Sequence, residues 1–190
     1  MTNEKKKLTI LPMPDTDKDS EMGNNRYHKL FWLAVLGIVL AVALYLGLTQ
    51  KTSAPDLTMT DLSGKPIVLS QLRGRMVLVD FWATSCPGCV QEMPQLADLY
   101  SHYHTKGFDL IAVAMSYDQV AQVRRFAAER NLPFPVVVDG QGNIARAFGE
   151  VQLTPTAFLI DPQGHILAQT IGDLDFAKLR QRLDGMGKNT

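Results

Sequence analysis

Cysteine is nearly absent from this chain: there are two in 190 residues, Cys86 and Cys89, with two residues between them. That scarcity excludes a disulfide framework, and it excludes a four-cysteine zinc site because no second pair exists. A structural cross-link over so short a loop would do little, since it barely constrains the unfolded chain. An excess of charge of either sign is also missing. Formal net charge is zero, so neither nucleic acid nor another polyanion is implied as a partner. Internal repeats and low-complexity tracts are absent, and the length leaves room for one ordinary domain.

What charge there is avoids one segment. Leu30 to Leu48 holds 19 consecutive residues without a charged side chain. As a helix it would span about 28 Å, close to the roughly 30 Å of a bilayer core. The run is longer than the core of a cleaved signal sequence and sits behind 29 residues rather than a short basic stretch. It has no polar stripe, as a helix of a soluble core would. Residues 30–48 are therefore expected to be an uncleaved transmembrane anchor, with Phe31, Trp32 and Tyr45 near the interfaces. Lys5, Lys6, Lys7, Lys18, Arg26 and Lys29 precede the span, and only Lys51 follows closely. The positive-inside rule then puts the N-terminus in the cytoplasm and the rest outside, which in a two-membrane cell is the periplasmic side of the inner membrane. Residues 1–29 read as a disordered cytoplasmic tail, 49–55 as a linker and 56–190 as the domain.

Within the domain, apolar patterning alternates between the strand and helix periods. Leu57–Thr60 and Pro66–Leu69 flank a turn and read as a small hairpin. Met76–Trp82, Phe108–Met115 and Phe134–Val138 read as buried strands, each followed by a helical pattern. Thr156–Ile160 and His165–Thr170 enclose Asp161-Pro162-Gln163-Gly164 and read as a second hairpin, with a closing helix through Phe176, Leu179 and Leu183. This order predicts an α/β domain, a mixed central sheet with helices on both faces.

The cysteines fall between a buried strand and the helix after it. A helix N-terminus carries free amide donors and roughly half a positive charge. That field favours thiolate over thiol at Cys86, which makes it the expected nucleophile. Pro87 suits the first helical turn. Cys89, one turn further in, is the expected resolving thiol.

Several spaced motifs then resemble a known family. Val79-Asp80-Phe81-Trp82-Ala83 before the pair looks like the active-site strand of thioredoxins. Ala54-Pro55-Asp56-Leu57, Leu69-Ser70-Gln71-Leu72-Arg73-Gly74, Glu92 with Pro94, and Thr154-Pro155-Thr156-Ala157-Phe158 resemble the membrane-anchored TlpA/ResA-like thiol–disulfide oxidoreductases. The resemblance covers nearly all of 54–184. It implies a thioredoxin fold with an N-terminal β-hairpin, an insert near 116–134 and a cis bond before Pro155. It implies reduction of disulfides in client proteins, a role of the kind seen in cytochrome c biogenesis, with no cofactor besides the Cys86–Cys89 disulfide and electrons from a membrane thiol transporter of DsbD/CcdA type. It makes Asp80 a catalytic proton acceptor for Cys89 and Glu92 a proton relay, and assigns client docking to Trp82, Pro87, Gly88, Thr154 and Pro155. Two departures touch docking and redox potential. Ser85 stands where these families carry Trp, and the dipeptide between the cysteines is Pro-Gly, the reverse of the thioredoxin order.

Two other readings share these residues. The same fold could run as an oxidase or isomerase. The dithiolate could also form a soft Cu(I) site with Met115 as a further ligand. No metal is expected on the favoured reading.

Overall fold

Seven consecutive residues of Met76–Trp82 (β3) are buried, as are seven of Phe108–Ala114 (β4). A strand covered on both faces belongs at the centre of a sheet, and these two pair in parallel from Met76↔Phe108 to Trp82↔Ala114. The computed structural model describes residues 21–48 and 51–186. The chain divides into two units, 1–50 and 51–190.

In the second unit the five-stranded sheet has the order β5-β4-β3-β6-β7, with β5 Val136–Val138, β6 Thr156–Ile160 and β7 Ile166–Ile171. β5 runs parallel to β4, whereas β6 and β7 are antiparallel, which makes the sheet mixed as expected. Alternation along the strands divides the core into two layers. One holds Leu78, Trp82, Leu110 and Ala112 under α2 (Pro87–Tyr103), α3 (Val120–Glu129) and α5 (Phe176–Met186). The other holds Val77, Val79, Phe81 and Ile111 under α4 (Asn143–Ala147) and an N-terminal hairpin of β1 (Thr58–Thr60) and β2 (Pro66–Val68). Residues 116–134 contain α3, whose Phe126 ring lies 5.0 Å from that of Trp82.

One strand is shorter than its apolar run. β5 was expected from Phe134 and begins at Val136, because Pro133 and Pro135 carry no N–H for the ladder.

The first unit holds α1, a 28-residue helix from Glu21 to Leu48. Its segment Tyr27–Leu44 is long and apolar enough to cross a membrane, with large side chains such as Phe31, Trp32, Leu36 and Leu40 exposed. Part of the expected tail is corrected here: 21–29 are helical. No proline follows Pro14 until Pro55, and extending a nucleated helix costs far less than starting one. The rest of that tail, residues 1–20, and the linker residues 49–50 lie outside the described residues.

Candidate active site

The site grows from the end of β3. After Trp82 the chain turns through Ala83–Ser85, and the N–H of Cys86 donates to the Ala83 carbonyl at 3.1 Å. Cys86 is the N-cap of α2, with Pro87 in its first turn. The Cys86 Sγ accepts from the Cys89 N–H at 3.2 Å, so the sulfur lies on the free amides of the helix start. The cysteines are joined as a disulfide, their Cα atoms 5.3 Å apart. Cys86 is half-buried, whereas Cys89 is 1% exposed. Cys86 is therefore the more accessible sulfur of the pair.

Two carboxyl groups lie in the same layer as Cys89. Asp80 is 1% exposed, between Leu78 and Trp82 on the α2 side of β3, and its Oδ1 has no hydrogen-bond partner among the described residues. Burial pushes its pKa up to about 7, with the charge of Glu92 adding to the rise. Glu92 is buried one turn beyond Cys89. Its Oε1 accepts from the Leu174 N–H at 2.5 Å, while Oε2 has no partner among the described residues. Burial raises its pKa, the Leu174 N–H opposes the rise, and the nearby Asp173 adds to it. The Trp82 indole N–H is the third buried polar group without a partner among the described residues.

The Thr154–Pro155 bond is cis, as expected. Pro155 is buried against Gly88: a Cβ placed on Gly88 would lie 4.0 Å from the Pro155 ring and 3.4 Å from Asp173 Oδ1. Among the proposed docking residues, Pro87 is exposed and Gly88 and Thr154 are half-buried. Trp82 is a correction. It is wholly buried, its ring against Phe126, so it supports the site from beneath and cannot touch a client. Its place on the inward face of a central strand decides this.

Two residues escaped the sequence reading. Asp118 accepts from Thr84 N–H at 2.7 Å and from Thr84 Oγ1 at 2.8 Å, clamping the turn that presents Cys86. Its position just past the carboxyl end of β4, where α/β sites assemble, was the available signal. Asp173 follows β7 and has no such signal. Met115, the candidate copper ligand, packs in the layer opposite Cys89, and no group of three or more His, Cys, Asp or Glu suited to a metal occurs among the described residues.

The family model described as Redoxin matches residues 49–183. The thiol-disulfide oxidoreductase ResA of Bacillus cereus (strain ATCC 10987 / NRS 248) is 33% identical over 167 residues, covering 84% of this chain and 95% of that protein. ResA of Bacillus subtilis (strain 168) is 32% identical over 148 residues, covering 76% and 82%. Among solved structures, a thioredoxin candidate from Neisseria meningitidis superposes with a TM-score of 0.68 at 38% identity, covering 74% of this chain and 93% of its own. A thiol:disulfide interchange protein of Chlorobium tepidum TLS gives 0.66 at 26% identity, covering 73% and 97%.

Proposed function

The chain belongs to the Redoxin family and, within it, to the ResA-like thiol–disulfide oxidoreductases, and on that premise we propose that it reduces disulfides in client proteins outside the cytoplasm. The observation that carries the direction is Asp80, a buried carboxyl group with a pKa of about 7 in the layer of the resolving cysteine.

The exchange runs in two displacements. The Cys86 thiolate attacks one sulfur of the client disulfide, and the other client sulfur leaves as a thiolate and takes up a proton. Cys89 then gives its proton to the Asp80 carboxylate and attacks the Cys86 sulfur. The second client thiolate leaves, and the Cys86–Cys89 disulfide holds what the client lost. Two electrons have passed to the client. A base near neutrality is half-ionised at working pH, which suits a group that must take this proton and later return it. Glu92 bonds to the loop of exposed Asp173, so it is the relay by which the Asp80 proton reaches solvent. A strong oxidant needs such a base less, because its first thiolate is already a good leaving group.

Location rests on α1 and on the basic residues before it. The anchor in the bilayer leaves the domain on the outer, periplasmic face, with its reductant a membrane thiol transporter of DsbD/CcdA type. Equilibration with glutathione tests the direction: a potential nearer the roughly −270 mV of thioredoxin than the roughly −120 mV of a strong oxidant is expected. Cys89→Ser should accumulate mixed disulfides with clients and Cys86→Ser none. Thiol trapping in cells should find the pair reduced, and oxidised when the transporter is removed. A potential at the oxidant end, with a pair that stays oxidised in cells, overturns the reductive reading.

A further inference from the structure

The Pro-Gly order between the cysteines puts glycine at position 88, and the structure uses the space. Asp173 Oδ1 stands 3.4 Å from where a Gly88 Cβ would be, directly beside the redox loop. Its position is fixed from both sides. The N–H of Gly172 donates to the Pro155 carbonyl at 2.8 Å, and the N–H of Leu174 donates to Glu92 at 2.5 Å. Gly172 has φ +91°, a conformation that side chains disfavour, and this turns the chain over the pair. Asp173 is exposed and makes no side-chain hydrogen bond or ion pair among the described residues. An exposed carboxylate on a backbone held from both sides thus stands beside the loop between the cysteines.

We infer that Asp173 is a specificity-determining residue, selecting client segments with a basic side chain next to the reacting cysteine and disfavouring acidic ones. The rim supports a peptide there. Leu153 and Ile171, both exposed, flank the Thr154–Pro155 segment, and Tyr117 is exposed beside the Asp118 clamp. Apolar contacts from these residues hold a peptide of almost any sequence, so discrimination is left to charge; Asp118 is engaged with Thr84, and Asp173 is the exposed carboxylate beside Gly88. The inference needs thiol–disulfide exchange through Cys86 and not its reductive direction.

The test uses the full chain with two disulfide peptides that differ only in Arg or Glu beside the cysteine. The rate ratio, Arg peptide over Glu peptide, is read inside each variant, so any general change in reactivity cancels. An exposed charge pair is worth a few tenths to one kcal/mol, so the wild-type ratio should be about threefold at low salt. It should fall to about one in Asp173→Asn, invert in Asp173→Lys, and shrink with salt in the wild type. The same ratio in all three proteins overturns the role of Asp173 while leaving the exchange intact. Failure of either peptide to react with any variant overturns the exchange and the inference together.

Discussion

Among the described residues of the domain five carboxylates are buried, and the fold treats two of them unlike the other three. Asp109 at the start of β4 accepts from Arg75 Nε at 2.8 Å, and the same guanidinium also donates to two backbone carbonyls. Asp139 accepts the N–H groups of Ile144 and Ala145 at the start of α4. Asp161 accepts from the His165 N–H at 2.7 Å inside its hairpin turn, with Lys51 3.6 Å away. Asp80 and Glu92, in the layer of Cys89, each keep an oxygen with no partner among the described residues. A buried polar atom without a partner costs free energy that a neighbouring donor would remove. Where a carboxylate only holds a turn or a strand end, the fold supplies that donor. On the proposed mechanism Asp80 and Glu92 change protonation state, and a full set of donors would hold them ionised; Asp80 Oδ1 and Glu92 Oε2 are left without one among the described residues.

The comparison breaks most sharply at Asp80. Asp80→Asn should slow resolution of the mixed disulfide by about a hundredfold, the usual scale of a lost general base, while leaving the first attack by Cys86 nearly unchanged. Stopped-flow tryptophan fluorescence separates the two steps; equal slowing of both would make Asp80 structural. Next in size is Arg75→Ala, which removes the guanidinium from buried Asp109 and leaves it only the His104 ring, 3.3 Å away. Urea unfolding should lose about 2–3 kcal/mol, with little change in the exchange rate. A smaller change in stability, or a large one in rate, would erase the distinction between the two groups.

The pH dependence sharpens the contrast because its sign differs. The folded pKa of Asp80 is raised from 3.8 to about 7, so the folded state binds the extra proton between these values. Its contribution to stability is therefore greatest below about pH 4, falls as pH rises, and levels off above about 7. For Asp161 burial alone would raise the pKa, but the His165 hydrogen bonds and charge and the Lys51 charge bring it below 3.8. Its contribution is present above about pH 4 and is lost as pH falls through the lowered value. Unfolding curves of Asp80→Asn and Asp161→Asn, each subtracted from wild type between pH 3 and 8, should slope in opposite directions; parallel slopes would refute the assignment. The smallest effect is expected at Asp139→Asn, where a weaker acceptor remains at the start of α4. A loss of about 1 kcal/mol with no change in kinetics is the expected result, read by thermal unfolding.

Much of this was legible in residues close together along the chain. The buried strand, the turn and the cysteines at a helix start lie within Met76–Cys89, and each follows from local rules: strand period, proline placement, capping. The mixed sheet was readable from the alternation of periods. The tightened β5 was not, because two prolines removed ladder donors from an otherwise strand-like run. Trp82 was misjudged as a docking residue because helices and strands from far along the chain cover both faces of β3, so no residue of that strand meets solvent.

The apolar span, the order of elements and the placement of Cys86 and Cys89 at the start of a helix follow from the amino-acid order alone. These depend on short-range periodicity, which neighbours in the chain create. Only the tertiary structure decided which face Asp80 takes and that Glu92 shares it. It also decided that Asp118 clamps Thr84 from 34 residues away and that Leu174 reaches Glu92 from 82. Burial and pairing are properties of surroundings, and those surroundings exist only once distant strands and helices have packed.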